Sequence, residues 1–263
     1  MSVSATPGWI GSSAKAEAGN GWMSGAMRTL GVPVPGWMSQ LAGKSKEVQY
    51  SIGANHNYNK DTLINYLRSL GSTAVVVTIT GDLVSYSSGV PCLEFPGDLP
   101  NSSIRLVING GVTVYGRGGN GGVKGGGGAG GNAINNGIGG RLKIFNHGAI
   151  AGGGGGGGGN SADGGMGGGG RPFGTANKTH PPAAATSRAA TDGTLYAPGI
   201  GAQYAFGPEH IFFTGGTGGE VGNAGAAASG RIGTSYSGGP AGWAVAGNAP
   251  EWHVVGAIYG SRV

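Results

Sequence analysis

The chain has 263 residues, 63 of them glycine, a single cysteine (Cys92) and a formal net charge of +5. One cysteine excludes an internal disulfide, the sequence contains no basic run of the kind that binds nucleic acid, and no apolar run approaches the ~20 residues of a membrane-spanning helix. We therefore expect neither nucleic-acid binding nor membrane insertion, and the N-terminal residues lack the charged and apolar regions of a signal peptide.

Glycine is distributed unevenly along the chain. Only 14 of the 63 glycines lie in residues 1–110, which also hold most of the large aliphatic residues. Because glycine has no side chain to bury, the second part lacks the usual driving force for folding. It must fold through backbone hydrogen bonds and close backbone packing, or stay unfolded. We place a domain boundary at this change in composition and predict domains at 1–115 and 116–263.

Residues 1–46 repeat an apolar signal three times, as PGWI, NGWMSGAM and PGWMSQL. The spacing of Trp22, Met23, Met27 and Leu30 suits one face of a helix, which is typical of a small core. Tryptophan and methionine are also favoured at protein–protein contacts, so the segment reads equally well as a docking surface. The candidate contact residues are Trp9, Trp22, Met23, Met27, Trp37 and Met38.

The following segment carries ordinary secondary-structure signals. Leu63, Ile64, Leu67 and Leu70 recur at helical spacing within residues 61–70, with Asp61 as the N-cap or a first-turn residue and a glycine stop behind. Residues 73–86 predict a buried strand and a turn, and 103–115 predict two strands around an Asn-Gly turn. This part of the chain is expected to be a small α+β unit.

An internal repeat links these strands to the glycine tracts. RLVINGGVTVYGRGGNGG (105–122) resembles RLKIFNHGAIAGGGGGGGG (141–159). Each copy has an Arg-Leu start, a short apolar strand, an asparagine turn, a second apolar segment and then glycines. Each tract therefore continues an ordered strand, and a flexible linker has no reason to begin twice in the same way.

Three interpretations of the glycine tracts are available. Flexible linkers mix glycine with serine and usually occur once between domains. Collagen needs glycine at every third position together with much proline. A bundle of polyproline-II-like glycine helices, with three residues per turn and ~3.1 Å rise, needs many tracts whose outward N–H and C=O groups bond to neighbours. The repeated tracts favour the third interpretation, in which a rigid scaffold presents loops for recognition.

Several segments together resemble the long-tail-fibre tip adhesins of T-even-like bacteriophages. They are YGRGGNGG (115–122), NNGIGGRLKIFNHGAIAGGGGGGGG (135–159), GGGGRPFG (167–174) and the N-terminal GNGWMSGAM and VPGWMSQ. The resemblance covers nearly the whole chain. It implies a mixed fold, with a small α+β N-terminal attachment domain followed by a polyglycine-II helix sandwich with little regular α or β structure.

The same resemblance implies the function. Members of this family sit as monomers on the trimeric long tail fibre, cap its distal tip, and bind an outer-membrane protein of a Gram-negative host, sometimes with lipopolysaccharide. Such a protein is located in the virion, is made in the host cytoplasm, and is not an enzyme. We expect no cofactor and no metal, and Trp9, Trp22 and Trp37 fall in the part that attaches to the fibre.

The resemblance also implies that 160–163, 175–198, 203–213 and 234–237 are variable receptor segments. Their aromatic side chains are candidate receptor contacts, because exposed aromatic side chains anchor interfaces. The alternative is that these rings cap the edge of the sandwich. Lys178, His180 and Arg188 suit lipopolysaccharide phosphate, or are simply solvated loop charges. The aromatic and histidine candidates are Tyr196, Tyr204, Phe206, His210, Phe212, Phe213 and Tyr236.

Two rival functions are open at this point. A fibre-associated glycan-degrading enzyme needs two facing carboxylates, and the five acidic residues beyond residue 110 form no obvious pair in the sequence. A purely structural glycine-rich virion protein has no use for aromatic, glycine-poor loops. Trp243 and Trp252 are expected to pin the last segment onto the scaffold.

Overall fold

The structure is a computed structural model that describes residue 3 and residues 10–41, 47–161, 165–178, 187–205 and 211–263. Trp9, His180, Phe206 and His210, four of the predicted contact residues, lie outside this part of the chain. For Phe212 the structure describes the backbone alone. No helix among the described residues is long and apolar enough to cross a membrane.

The N-terminal residues form a small helical unit. It contains α1 (Ile10–Ala18), α2 (Met23–Thr29) and a 3-10 turn (Met38–Leu41). Helices this short are marginal alone, and these two pack around a buried cluster that includes Met27, Leu30 and Leu41. The predicted helical face is confirmed for Met27 and Leu30, whereas Trp22 precedes the helix and is 81% exposed.

From residue 47 onward, the described residues form sixteen strands, one further α-helix, α3 (Lys60–Ser69), and a second 3-10 turn (Gly139–Arg141). In chain order the strands are β1 (Val48–Ile52), β2 (Asn55–Tyr58), β3 (Val75–Ile79), β4 (Leu83–Ser85), β5 (Leu93–Phe95), β6 (Ile104–Ile108), β7 (Thr113–Tyr115), β8 (Ile134–Asn136), β9 (Leu142–Asn146), β10 (Ala149–Ala151), β11 (Gln203–Ala205), β12 (Ile211–Thr214), β13 (Ser229–Gly230), β14 (Val245–Gly247), β15 (Glu251–Val254) and β16 (Ala257–Tyr259).

Thirteen of these strands wind into a coil with three parallel faces. Face one has the order β1-β3-β6-β9-β15, face two β2-β4-β7-β10-β16, and face three β5-β8-β14. A strand of face one is followed in each turn by a strand of face two, and α3 packs against β5, next to face three. The remaining strands, β11, β12 and β13, form an antiparallel sheet of their own.

The inside of the coil is a single apolar core. Burial alternates residue by residue along β6 and β9, as expected for strands with one face inward, and Phe95, Leu106 and Ile144 are fully buried. The predicted helix is confirmed, although Asn59 rather than Asp61 is the N-cap, since its side-chain oxygen accepts from the Asp61 N–H at 3.0 Å. Residues 73–86 and 103–115 each contain two strands.

The structure differs from the expected boundary at residue 115. Strand β6 pairs with β9, and β7 pairs with β10, so strands from both sides of that position share sheets and one core. The glycine content rises where the chain leaves the coil, after Tyr115 and again after Ala151. The chain returns to the coil at β8 and at β14. Parallel strands require long crossover connections, and here the glycine-rich segments are those connections.

The run 152–159 is buried along its whole length and belongs to neither a helix nor a sheet. Its N–H donors follow a three-residue period. Gly153, Gly156 and Gly159 donate to the carbonyls of Gly131, Gly128 and Gly125 at 2.9, 2.8 and 2.8 Å. Gly154 and Gly157 donate to the carbonyls of one segment, at Arg171 and Gly168. Gly155 and Gly158 donate to those of another, at Asn223 and Ala226. The backbone therefore turns once every three residues.

The same run accepts hydrogen bonds from three further segments, so it is surrounded on every side. Its six glycine-rich neighbours are 116–122, 125–131, 168–171, 216–222, 223–226 and 236–242, and Gly152 also donates to the Tyr259 carbonyl at the end of β16. A Cβ atom added at any position of the run would come closer than 3.0 Å to a backbone atom. None of these eight glycines has a left-handed φ, so glycine is needed here for close packing rather than for backbone conformation.

Candidate binding surfaces

The hydrogen-bond register orders the glycine segments between two ends. Gly116 donates to Ala151 where the segments leave face two, and we call this the coil end. Gly122 donates to Gly157, and Asn160 donates to Gly165, at what we call the far end. About nine residues at ~3.1 Å each separate the two ends by roughly 28 Å.

The far end gathers several connecting segments. Isolated bridges join Val123 to Met166, Asn160 to Ser235, and Arg188 to Gln203. The side-chain amide of Asn160 also donates to the Ser235 hydroxyl at 3.2 Å. These contacts place the turn at 123–125, the start of 160–165, the sheet of β11 to β13, and the turn at 231–234 next to one another.

Two of the predicted aromatic contacts stack at the far end. The rings of Tyr204 and Phe213 lie 5.5 Å apart at an interplanar angle of 22°. Tyr204 is half-buried, whereas Phe213 is only 2% exposed. The structure therefore gives Phe213 a packing position under Tyr204 in place of the predicted direct contact. Tyr236, which is half-buried, donates its N–H to the last glycine of the run, Gly159, at 3.0 Å.

Lys178 is not a free loop cation. Its ammonium lies 2.6 Å from the Asp192 carboxylate, which also accepts from the Ala176 N–H at 2.8 Å. Partial burial acts to raise the pKa of Asp192, but the bonds from Lys178 and Ala176 and the Lys178 charge outweigh it and hold that pKa below its usual value. The pair ties together two neighbouring far-end segments.

Tyr196 lies at the opposite end from the other described receptor candidates. It is 81% exposed and belongs to the turn in which Thr194 donates its N–H to Ala197. This turn is at the coil end, because the Leu195 carbonyl accepts from the Arg171 Nε at 2.7 Å and Leu195 packs with Tyr115. The length of the glycine segments therefore separates Tyr196 from Tyr204 and Tyr236.

Two cavities open at the coil end, and sequence reasoning identified neither. One, of about 360 Å³, includes Tyr115, Tyr259 and the ion pair of Arg171 with Glu220 at 2.8 Å. The other, of about 400 Å³, is lined by Asn55, His56, Asn57, Arg117 and Phe173. The residues of the second cavity come from β2 and from two segments distant from it in the sequence, at Arg117 and at Phe173. Nothing in their local sequence therefore indicates that they lie together.

The N-terminal unit divides the predicted attachment residues into two groups. Met27 is 5% exposed and Met23 packs partly buried against the same core, so these side chains hold the unit together. Trp22, Trp37 and Met38 are 81%, 80% and 47% exposed. Large exposed apolar side chains that cluster on one small unit mark an interaction surface. A groove of about 420 Å³ runs beside Trp37 and is lined by Pro33, Pro35, Gly36, Trp37 and Gln40.

A buried glycine scaffold with loops at one end, joined to a unit with exposed tryptophans, has the architecture of a binding protein. Two family models cover the chain, Phage tail fibre adhesin Gp38 over residues 47–263 and the Phage tail fibre adhesin Gp38 N-terminal domain over residues 1–42. The chain therefore belongs to the Gp38 family of phage tail fibre adhesins, and it is a component of the phage particle.

Individual relatives agree with the family models. The chain is 46% identical over 258 residues to the receptor-recognizing protein gp38 of Salmonella phage S16, covering 96% of this chain and 97% of the relative. It is also similar to a chain in the crystal structure of the gp37-gp38 adhesin tip complex of the bacteriophage S16 long tail fibre. That match has a TM-score of 0.73 and 43% identity and covers all of both chains. The resemblance seen in the sequence is thus confirmed.

Proposed function

We propose that this adhesin caps the distal tip of a long tail fibre and recognises an outer-membrane protein, with or without lipopolysaccharide, on a Gram-negative host. The relative from phage S16 is named for receptor recognition, and a similar chain occurs in an adhesin tip complex. The observation that carries the proposal is the hydrogen-bond register, which gathers the connecting segments at the far end of the scaffold. A rigid scaffold with clustered loops is the common architecture of recognition proteins.

We infer that the glycine segments form a sandwich of polyglycine-II helices. The three-residue hydrogen-bond period supports this geometry, since polyproline-II-type helices have three residues per turn and no internal hydrogen bonds. The six neighbours of the run 152–159 supply the partners that such a helix needs for its outward N–H and C=O groups. A lattice of this kind holds the far-end loops in a defined arrangement.

The N-terminal unit is the proposed contact with the trimeric fibre tip protein, on which one copy of the chain sits. Trp22, Trp37 and Met38 offer an exposed apolar surface, and the family model for the N-terminal domain ends at residue 42, just before the model for the rest begins. Within the expected attachment domain 1–115, attachment is thus assigned to the helical unit and scaffold support to the coil. The protein is made in the host cytoplasm and works on the virion.

The proposed receptor surface consists of the far-end segments, with Lys178, Tyr204 and Tyr236 as its described members. Binding rather than catalysis is proposed, because the described acidic residues beyond residue 110 are each held by a cation. Asp192 pairs with Lys178, Glu220 with Arg171, and Glu251 with Lys143 at 3.5 Å. A glycosidase instead needs two carboxylates that face each other across the scissile bond.

Loop exchange tests the proposal. Replacing residues 178–187 and 203–214 by the corresponding segments of the phage S16 relative should transfer that relative's host range, while the chimaera still assembles on the fibre. The matched control exchanges the coil-end turn 220–223, which should leave host range unchanged. Unchanged host range after the far-end exchange, with normal assembly, would show that the receptor surface lies elsewhere.

A further inference from the structure

The cavity beside β2 at the coil end contains an arginine without an acidic partner. Three arginines of the described residues pair with a carboxylate, as in Arg68 with Asp98 at 2.8 Å and Arg105 with Glu47 at 3.1 Å. Arg117 is half-buried, and the described part of the chain places no carboxylate within 4.0 Å of it. Its guanidinium donates to the Ser85 carbonyl at 3.1 Å, which leaves most of its five donors available.

Two aromatic rings lie close to the Arg117 guanidinium. Its guanidinium carbon lies 5.6 Å from the centroid of the Phe173 ring, and the His56 ring lies 5.6 Å from the same centroid on the other part of the cavity wall. Burial lowers the pKa of Arg117 from its ordinary value, because a desolvated cation without a counter-ion is disfavoured. An anion bound in the cavity would remove that penalty.

Phe173 is held in an unusual backbone conformation to form this wall. Its φ is +56°, in the left-handed region that a bulky side chain adopts only at local cost. Such outliers concentrate at ligand-binding sites, where the surrounding structure enforces them. One side of Phe173 packs against the buried cluster that includes Val84 and Leu195, and the ring also lines the cavity.

The remaining wall is suited to hydroxyl groups. Strand β2 is the edge strand of face two, and Asn55, His56 and Asn57 are exposed along it. The Asn55 side-chain oxygen accepts from the Asn57 N–H at 2.8 Å, and its NH₂ group makes no hydrogen bond within the described residues. The Asn57 side chain makes no hydrogen bond within the described residues. Amides of this kind donate to and accept from sugar hydroxyls.

We propose that this cavity binds a sugar that carries a phosphate or carboxylate group. The guanidinium of Arg117 matches either anion with paired donors, the Phe173 ring offers an apolar surface, and the β2 amides bind hydroxyls. The site is a shallow, open depression of about 400 Å³ on the surface, so a bound sugar would keep one side in contact with solvent. The site lies about 28 Å from the far-end loops and is therefore separate from the proposed receptor surface.

Calorimetric titration of the full chain with glucose 6-phosphate, glucuronic acid, glucose and inorganic phosphate tests the proposal. We expect at least one acidic sugar to bind at least tenfold more tightly than glucose and than inorganic phosphate, with affinity falling as salt is raised. The two acidic sugars distinguish a phosphate site from a carboxylate site. Equal binding of glucose, equal binding of inorganic phosphate, or no binding of either acidic sugar would overturn the proposal.

Variants locate the site. R117Q, which retains a donor for the Ser85 carbonyl, should weaken acidic-sugar binding at least tenfold, and H56Q, on the exposed edge strand, should weaken it severalfold. R28Q removes an equal charge from an exposed residue of α2, outside both this cavity and the far-end surface, and should leave binding unchanged. Unchanged binding in R117Q would overturn the assignment. Chimaeras with exchanged far-end loops should keep this binding, so its failure is distinguishable from failure of the proposed receptor surface.

Discussion

The parallel coil and the glycine segments use similar extended backbones but hold them together differently. In the coil, each strand bonds to its neighbours within a sheet, and side chains such as Phe95 and Ile144 fill the space between the faces. In the run 152–159 the backbone bonds in all directions to six segments, and no side chain separates them. Where side chains are present, the backbones form layers separated by a core. Where every residue is glycine, the backbones are in close contact on all sides.

The difference also explains how the two parts divide the work. The coil is an ordinary hydrophobic core whose apolar area drives folding. The glycine segments have little area to bury, and they leave from and return to strands of the coil at Tyr115, Ala151, β8 and β14. The coil therefore supplies fixed starting points, and the glycine segments extend them to a distant end with few large side chains.

The largest expected effect is a loss of stability when a buried side chain in the core of the coil is truncated. Phe95→Ala removes a fully buried ring from the coil and should lower the free energy of unfolding by about 3–5 kcal/mol. Denaturant titration would measure it. Val255→Ala truncates a side chain that is 51% exposed and should change stability by less than about 0.5 kcal/mol. Similar losses for the two variants would contradict a side-chain core in the coil.

Gly155→Ala tests the close backbone packing of the glycine run. The added methyl group would overlap the Gly239 carbonyl and lie 2.8 Å from the Gly225 nitrogen, both of them backbone. Since the neighbours have no rotamers to change, we expect a loss of about 3 kcal/mol or more, at the upper end of overpacking. Thermal unfolding would show it as a lower Tm.

Gly140→Ala is the matched control for that substitution. An added Cβ at Gly140 meets nothing within 4 Å, and its φ is not left-handed. The same change should therefore be neutral or stabilise by up to about 1 kcal/mol, through the reduced freedom of the unfolded chain. Equal Tm values for Gly155→Ala and the wild type would mean that the run is a loose linker.

The coil also relies on buried amides where its chain turns. The carbonyl oxygens of Leu67, Gly71 and Thr73 each lie 3.1 Å from the side-chain nitrogen of Asn101 and share its two N–H donors, which completes the end of α3. Asn101→Asp replaces this donor by an acceptor and should cost about 2 kcal/mol. Asn109→Asp, at an exposed turn position, should cost much less in the same denaturant titration.

The smallest expected effect concerns the ion pair of Lys178 with Asp192 within the glycine-poor stretch 175–198. Because the folded-state pKa of Asp192 is depressed, its contribution is present above the unfolded-state value of 3.8 and is lost as pH falls through the lower folded-state value. Asp192→Asn should lower stability by less than about 1 kcal/mol at pH 7, and the difference should shrink below pH ~4. Tm values of both proteins at pH 7, 4 and 3 would measure it, and a constant difference would exclude this ion pair as the cause.

The fold was predictable where the signal was local. Helical spacing in 61–70 indicated α3, the segment 103–115 indicated β6 and β7 around a turn, and the repeat correctly showed that the glycine tracts after Tyr115 and Ala151 continue strands. The spacing between the two copies differs from sheet to sheet, however, since Arg105 lies beside Lys143 in face one whereas Val114 lies beside Ile150 in face two. Register is decided by how the whole coil packs, and a short pattern that slips by one or two residues still looks the same.

The candidate sites were less accessible to sequence reasoning. Exposed Trp22 and buried Met27 are near neighbours in the same motif, and only the packing of α2 against the core separates them. Likewise Tyr196 and Tyr204 stand in similar glycine-poor surroundings, yet they lie at opposite ends of the scaffold. Arg117, His56 and Phe173 come from three separate parts of the chain, so no local signal marked their cavity.

The sequence by itself determined that the glycine run had to pack closely, because glycine alone lacks the Cβ that would keep backbones apart, and that its entry was an ordered strand. Only the tertiary structure decided which segments surround each glycine and which loops share an end. The physical reason is that hydrogen bonds between backbones are the same at every glycine. Which segments become neighbours depends on where the chain leaves the side-chain-packed coil and where it returns to it.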